Sequence, residues 1–195
     1  MGKVIYSQVV SLDGYTEDTN HALDWAIVDE EFHRFVNDQE RQLDAFLYGR
    51  RTWEAMVAFW PTADETPSQP EYVVDFAHIW KSKPKIVFSK SLDEVGWDSR
   101  LVRGDAGEAV AKLKEEFRGD LGLGGAGLAA SLMRLGLVDE YDLYVNPVIL
   151  GGGTPMFPEL PSRIGLRLTE SRTFGSGVVH LRYQLGGRET EGQPK

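Results

Sequence analysis

Short apolar runs alternate along this chain with longer segments in which apolar residues recur every three or four positions. The runs at residues 3–10, 45–48 and 85–88 are rich in Val, Ile, Leu, Phe and Tyr, a composition typical of buried strands. A helical spacing occurs at 29–43 and again at 106–118, where the apolar side chains share one face. The pattern therefore predicts strand–helix units over the first part of the chain.

The last third of the chain has a different pattern. Apolar runs at 141–145, 166–171 and 178–185 predict further strands, and the Gly-Ser-Gly segment at 175–177 predicts a tight turn between the last two. The pattern at 73–80 leaves helix and strand open. The whole series indicates an α/β fold: a mixed, mainly parallel sheet of about eight strands with helices on both faces and a C-terminal antiparallel hairpin.

Glycine is concentrated at 122–127, between a short apolar run and a helical pattern of leucines. We predict a strand, a glycine turn and a helix N-terminus, whose free N–H groups and positive dipole end suit a phosphate. Gly122, Gly124 and Gly127 also match G-x-G-x-x-G, but Asp142, near the spacing of a Rossmann ribose-binding acid, opens the next apolar run. A phosphate-binding turn on another α/β sheet is favoured, and a packing turn without a ligand is the alternative.

A second turn of this kind follows the run at 45–48 and reads Gly49-Arg50-Arg51-Thr52. Thr52 is able to cap the helix that follows. Two adjacent arginines at such a place are commonly solvated surface charge, but a guanidinium also offers a fork of donors that suits a phosphate. Both interpretations are open at this point.

Composition narrows the classes of function. The chain has 195 residues, no cysteine and a net charge of −9, so thiolate chemistry is excluded and nucleic acid is disfavoured as a partner. The four histidines are scattered, so we expect no metal. No apolar run is long enough to span a membrane, and the N-terminus lacks a signal pattern, so we expect a cytoplasmic protein. We expect a single domain at 1–185 and a frayed polar tail at 186–195.

Four separated segments, each at a predicted junction between elements, carry a resemblance to a known family. They are Ser11-Leu12-Asp13-Gly14, Gly49-Arg50-Arg51-Thr52-Trp53-Glu54, Gly124-Gly125 and Gly153-Thr154-Pro155-Met156-Phe157-Pro158. Together they resemble the dihydrofolate reductase fold. The likeness is closer to the reductase domain at the C-terminal end of bifunctional riboflavin-biosynthesis deaminase-reductases and to the stand-alone relatives of that domain. It covers roughly residues 3–185, and no zinc deaminase signature accompanies it.

The resemblance implies NADPH as the cofactor, held at three junctions. One junction matches the family's first phosphate-binding turn, one the position that contacts the adenosine 2′-phosphate, and one the glycine turn at the pyrophosphate. The corresponding residues are Gly49, Arg50, Arg51 and Thr52; Ser89 and Lys90; and Gly124, Gly125, Ala126, Gly127 and Leu128. Independently, each junction is a strand end that feeds a turn, and ligands of open α/β sheets bind at such ends.

The substrate side follows the resemblance less closely. In dihydrofolate reductases a tryptophan in the first loop precedes a helix whose buried carboxylate lies four residues before a substrate-facing phenylalanine. Trp25 matches the tryptophan, although Asp24 stands where the family has proline. Phe35 then favours Glu31 over Glu30 as the carboxylate. The alternatives are a solvated helix cap for the acids and a core position for the phenylalanine.

The resemblance implies an enzyme, an NADPH-dependent reductase that transfers a hydride to a small heterocyclic metabolite of the 5-amino-6-(5-phosphoribosylamino)uracil type. Asp13, beside the expected nicotinamide, or Glu31 would orient the substrate or relay a proton. A dihydrofolate or pterin reductase is one alternative, and a non-catalytic nucleotide- or flavin-binding protein is another. Related reductase domains are often dimers, so a homodimer is a further expectation.

Overall fold

A computed structural model describes residues 2–186, so the predicted tail lies almost wholly outside the described residues. The helices are α1 (Glu30–Arg41), α2 (Arg50–Phe59), α3 (Glu71–Ser82), α4 (Ala106–Glu116) and α5 (Ala126–Arg134). The strands are β1 (Val4–Ser11), β2 (Tyr15–Glu17), β3 (Ala45–Gly49), β4 (Lys85–Phe88), β5 (Ser99–Val102), β6 (Leu121–Gly124), β7 (Glu140–Asn146), β8 (Thr154–Pro155), β9 (Leu166–Thr173) and β10 (Val179–Leu185).

Eight of these strands form one sheet in the order β5-β4-β3-β6-β1-β7-β10-β9. The six strands from β5 to β7 run parallel, and β10 and β9 add an antiparallel hairpin at one edge. The first strand lies in the middle, where Ile5 pairs with Gly122 on one side and with Glu140 on the other. The predicted fold class, a mainly parallel mixed sheet with a C-terminal antiparallel hairpin, is confirmed.

Helices cover both faces of the sheet. On one face, α4 and α5 pack against a core that includes Leu121 and Leu123 of β6. On the other face, α1, α2 and α3 cover a second set of apolar side chains, including Phe46 of β3. The residues of β6 that point to this second face are Gly122 and Gly124, since Gly122 pairs with Phe46 and Gly124 with Tyr48. Strand β6 therefore presents leucine side chains to one face of the sheet and no side chain to the other.

Three local features differ from, or were left open by, the sequence pattern. The segment around 73–80 is helical, within α3. Gly122 lies within β6 rather than in the turn that follows it. Asp142 is buried inside β7, where it accepts hydrogen bonds from His180 and Arg182, so it does not stand at a strand end as a Rossmann ribose-binding acid does.

Candidate active site

A cavity of about 770 Å³ lies between the sheet and helices α1 and α2. It is reached past the carboxyl ends of β3 and β6, which pair so that Tyr48 lies beside Gly124. The helix after β3 covers one face of the sheet, and the helix after β6 covers the other. Adjacent strands whose helices leave to opposite faces open a crevice, the usual ligand site of open α/β sheets.

The bare face of β6 makes room for this cavity. A Cβ on Gly122 would lie 2.5 Å from Cδ1 of Leu43, and a Cβ on Gly124 would lie 3.1 Å from the Tyr48 ring. Real Cβ atoms essentially never show the first distance and seldom the second, so a side chain would displace Leu43 at Gly122 and press on the Tyr48 ring at Gly124. Glycine at both positions keeps the floor of the cavity at the level of the backbone.

The outer end of the cavity, which we call the mouth, consists of residues 49–52 and 124–128. Helix α2 begins after Gly49 and α5 begins after Gly125, and neither helix has a side-chain cap. By contrast, Asp29 caps α1 and Asp105 caps α4. The free N–H groups and positive dipole ends of α2 and α5 therefore remain available, side by side, at one opening.

Gly125 is the residue that brings the two turns together. Its φ of 92° lies in the region that side-chain-bearing residues avoid, and an added Cβ would lie 2.1 Å from Oγ1 of Thr52. The backbone of the β6–α5 turn thus touches the first turn of α2. This contact sets the uncapped N-termini of α2 and α5 beside each other, an arrangement that suits an anion.

Two arginines stand at the mouth, and both are already paired within the protein. The Arg50 guanidinium donates to Glu54 at 2.7 Å and to the hydroxyl of Ser91 at 3.0 Å. The Arg51 guanidinium donates to Glu17 at 2.8 Å. Both arginine side chains are largely exposed, so either can turn toward an anion at low cost.

Glu17 connects this arginine to the loop that crosses the mouth. Its carboxylate, with a side chain only 15% exposed, also accepts from the hydroxyl of Thr154 and pairs with His21. Hydrogen bonds from Thr154, Arg51 and His21 lower the pKa of Glu17, although burial opposes them. The short strands β2 and β8 pair here and hold the loop against the body of the protein.

The inner end of the cavity, which we call the interior, is aromatic and carries one carboxyl group. Its lining consists of His33, Glu40, Phe46, Tyr48, Trp60, Phe76, Gly122 and Tyr144. Protein atoms surround the Glu40 carboxyl, and the surface that it keeps faces the cavity. Burial and the nearby charge of Asp142 raise the pKa of Glu40 to about 7. This carboxyl is therefore able to exchange a proton near neutral pH.

The predicted cofactor residues fall into two groups. Nine of them line the mouth: Gly49, Arg50, Arg51, Thr52, Gly124, Gly125, Ala126, Gly127 and Leu128. Ser89 and Lys90 do not line the cavity. Ser89 is buried and its hydroxyl accepts from the N–H groups of Ser91 and Leu92, whereas Lys90 is exposed beside it. This turn adjoins the mouth through the hydrogen bond between Ser91 and Arg50.

The two predicted catalytic acids lie outside the cavity lining, because each is used to hold a loop. Asp13 accepts from the backbone N–H groups of Leu150 and Gly151, and these bonds, with one from the Ser11 hydroxyl, lower its pKa. Glu31 accepts from the N–H of Gly175 and from Arg172, which lower its pKa as well. Both carboxylates thus anchor loops by hydrogen bonds to backbone.

The predicted substrate residues are also absent from the lining. Trp25 donates its indole N–H to the carbonyl of Ala22 within its own loop. Phe35 packs edge-on against Phe174 and beside His180, in the small core under α1. The core interpretation of the Phe35 ring matches this placement.

Sequence reasoning missed Glu40, although a signal for it exists. Phe32, Val36 and Glu40 are spaced four residues apart on α1, and all three line the cavity. An acidic residue that continues an apolar stripe departs from the usual arrangement of an amphipathic helix. Such a break in the pattern marks a carboxyl group that the fold directs inward.

Within residues 2–186, no three His, Cys, Asp or Glu side chains gather as they would around a metal ion. In the same part of the chain, every helix is too short or too polar to cross a bilayer.

Comparison with known proteins bears on both fold and family. The RibD C-terminal domain family matches residues 2–180. The uncharacterized Bacillus subtilis (strain 168) protein YyaP is 36% identical over 191 residues, which cover 95% of this chain and 96% of YyaP. A Shewanella sp. PV-4 protein named for riboflavin biosynthesis superposes with a TM-score of 0.72 at 24% identity, over 96% of this chain and 100% of its own.

A further solved structure is longer than this chain. The Thermotoga maritima diaminohydroxyphosphoribosylaminopyrimidine deaminase/5-amino-6-(5-phosphoribosylamino)uracil reductase superposes with a TM-score of 0.65 at 15% identity. The match covers 95% of this chain but 57% of that protein. These two structural likenesses establish a shared fold, and the family match with its full-length relative goes further: the chain belongs to the RibD C-terminal domain family.

Proposed function

We propose that this protein is an NADPH-dependent reductase that transfers a hydride to a C=N or C=O group of a small heterocyclic metabolite. The reaction type is that of 5-amino-6-(5-phosphoribosylamino)uracil reductases. The observation that carries the proposal is the mouth, where two uncapped helix N-termini and two arginines meet at one cavity. Membership in a reductase-like family supports the same assignment.

The residues present at the mouth fit the dinucleotide. The bare backbone of Gly124 and Gly125 would let a diphosphate approach the first turn of α5, and a Cβ at Gly125 would clash with Thr52 and shift this turn. Arg50 and Arg51 would neutralise phosphate charge from the α2 side. The turn at Ser89 and Lys90 adjoins Arg50 and offers an exposed ammonium for the adenosine 2′-phosphate.

The protein would contribute position and shielding to the reaction. NADPH, when bound, supplies a hydride from C4 of its dihydronicotinamide. The carbon of the substrate's C=N or C=O accepts this hydride with its two electrons, and the nitrogen or oxygen takes up a proton. The apolar and aromatic walls of the interior exclude water from the reacting atoms. The Glu40 carboxyl is the group of the interior whose pKa suits proton exchange near pH 7.

A tryptophan-fluorescence titration with NADPH and NADH in parallel tests the proposal, because Trp60 lines the cavity. We expect micromolar binding of NADPH and at least ten-fold weaker binding of NADH. Lys90→Gln should weaken the binding of NADPH about five-fold and leave the binding of NADH unchanged. Lys112→Gln, on the exposed face of α4, is the matched control.

Two results would count against the reductase assignment. Absence of binding by either dinucleotide would remove it. Tight binding of NADPH without oxidation by any heterocyclic substrate would leave a nucleotide-binding protein without turnover. Oxidation of NADPH, followed by the loss of nicotinamide absorbance, distinguishes the second case.

A further inference from the structure

The positive charges of the cavity lie at one end. Within the described part of the chain, the arginine and lysine residues of the lining are Arg50 and Arg51, and both belong to the mouth. Burial lowers the pKa of the interior histidine, His33, and so disfavours its charged form. The interior therefore presents no arginine or lysine to a ligand, and its one carboxyl group is that of Glu40.

The mouth has no charge to spare once a dinucleotide is bound. Two guanidinium groups, two helix N-termini of about half a charge each, and the Lys90 ammonium beside the mouth supply roughly four positive charges. The diphosphate and 2′-phosphate of NADPH carry about four negative charges. A phosphate on the substrate would add about two more, and it would meet neither an unused cation in the cavity nor a free helix terminus.

The charged groups around Glu40 do not provide a site for a substrate phosphate either. Asp142, from β7, faces it as a second acid, and Tyr48 and Tyr144 flank it with neutral hydroxyls. Lys83 and Arg182 approach it from outside the lining and are engaged with other protein groups, although Nε of Arg182 makes no hydrogen bond in the described residues. Lys83 donates to the carbonyls of Arg41 and Leu43, and Arg182 donates to Asp142 and Gln39. A phosphate in the interior would face two carboxyl groups.

Two polar groups of the interior, the Glu40 carboxyl and the Tyr144 hydroxyl, make no hydrogen bond of normal geometry within residues 2–186, whereas His33 is paired with Asn37. Among residues 2–186, no hydrogen bond to the Glu40 carboxyl contributes to its pKa. The buried hydroxyl of Tyr144 makes no hydrogen bond of normal geometry in that part of the chain, and the Ser7 hydroxyl, which also lines the cavity, is a polar group beside it. Unsatisfied polar atoms in an apolar cavity cost free energy unless a ligand or water pairs with them. They mark where a ligand's polar edge belongs.

A carboxyl group that holds its proton offers one donor and one acceptor side by side. A cyclic amide presents the complementary pair, an N–H beside a C=O, and its flat ring suits walls made of Trp60, Phe76 and Tyr48. We propose that the substrate is a planar heterocycle without a phosphate, whose cyclic amide edge pairs with Glu40 in the interior. The inference rests on the proposed function for its catalytic meaning, and it assigns to this chain a specificity distinct from that of a phosphoribosyl substrate.

Isothermal titration calorimetry with two probes tests the absence of a phosphate. The probes are 5-amino-6-(ribitylamino)uracil and its 5′-phosphate, titrated into protein saturated with NADP⁺. We expect the unphosphorylated probe to bind at least ten-fold more tightly. Tighter binding of the phosphate, or no binding of either probe, would overturn the inference. If NADP⁺ itself does not bind, the proposed function fails. The same titrations on the free protein then still show whether the interior binds the unphosphorylated ring more tightly.

The role of Glu40 has its own readout. The wild-type protein should bind the unphosphorylated probe about ten-fold more weakly at pH 8 than at pH 6, because the carboxyl loses its donor proton between these values. Glu40→Gln keeps one donor and one acceptor at every pH, so its affinity for the probe should not change between pH 6 and pH 8. Glu40→Leu should lose probe binding at both pH values. Asp38→Asn, an exposed charge removal on the same helix, should follow the wild-type profile. An unchanged pH profile in Glu40→Gln would contradict the assignment.

Discussion

The mouth and the interior of the cavity are built in opposite ways. The mouth consists of two contiguous segments, 49–52 and 124–128, and it acts through backbone N–H groups and exposed arginines. The interior consists of single residues from helices α1 and α3, from strands β3, β6 and β7, and from the position just after α2, and it acts through aromatic surface and one carboxyl. The mouth is therefore charged and open to water, whereas the interior would select a ligand by its shape and by excluding water.

This difference implies that the two ends can be damaged separately. A change in a turn at the mouth alters the backbone path and should affect any phosphate ligand. A change of a side chain in the interior should affect the ring that binds there and leave the dinucleotide in place. Variants that target one end and are assayed at both ends measure how independent the two are.

The largest effect is expected at the mouth, for Gly125→Ala. The new Cβ would clash with Thr52 at a backbone angle that alanine avoids, so the β6–α5 turn must shift. We expect NADPH binding to weaken at least 100-fold, about 2.7 kcal/mol. Binding of the unphosphorylated uracil probe should change less than two-fold in the same variant. Fluorescence titration and calorimetry give the two values.

Gly136→Ala is the matched control for this variant. Gly136 also has a positive φ, of 67°, but an added Cβ there meets no other atom and the residue does not line the cavity. It should cost about 1 kcal/mol of stability and leave NADPH affinity unchanged. Equal losses of affinity in both variants would mean that backbone strain, and not the shape of the mouth, weakens binding.

A smaller effect is expected in the interior, on stability. The pKa of Glu40 is about 7 in the folded protein against 4.5 for the free side chain, so the unfolded chain binds fewer protons between these values. Stability therefore falls as pH rises from 4.5 to 7 and stays low above it. Glu40→Gln removes this loss and should gain about 2 kcal/mol at pH 8, with little difference from wild type at pH 4.5.

Urea unfolding of Glu40→Gln and wild type at the two pH values measures this gain. Asp38→Asn should show no such pH-dependent difference, since that side chain is exposed. A stability difference of the same size at both pH values would show that packing, rather than proton binding, is responsible.

The smallest effect is expected for Glu17→Gln, which releases Arg51 at the mouth. The pair is partly buried on the Glu17 side, so a phosphate must compete for the arginine. NADPH affinity should rise two- to three-fold, about 0.5 kcal/mol. Glu54→Gln, which breaks the more exposed pair with Arg50, should change it by less. A weaker binding of NADPH by Glu17→Gln would mean that the loop held by Glu17 contributes more than the released charge.

The same contrast explains what could be predicted from the sequence. The mouth is a local property: the Gly-Arg-Arg-Thr turn and the glycine-rich turn each carry their meaning within a few residues, and the structure places both at the cavity. The strand and helix pattern is local too, which is why the fold class could be predicted. What the pattern does not contain is the pairing of β3 with β6, which sets the two turns side by side.

The interior depends on contacts between distant residues and was not predicted. Asp13 and Glu31 were expected to be catalytic because of a resemblance in local order, but backbone N–H groups of distant loops use their carboxylates. The Glu40 carboxyl lies over the floor that Gly122 leaves without a side chain, where an added Cβ would be 3.6 Å from Oε2 of Glu40. The spacing within a helix shows which residues share a face, but not what lies opposite that face.

The central position of β1 has a consequence for how this protein is made. Ile5 pairs with Gly122 and Glu140, so neither edge of β1 has its partner until the chain has been synthesised well past residue 140. At about 5–20 residues per second on the ribosome, β1 waits on the order of ten seconds with both edges unpaired. Contacts so distant along the chain also slow folding itself. We therefore expect the nascent chain to need a chaperone during this interval, and the ligand cavity, whose floor is β6, to be among the last parts to form.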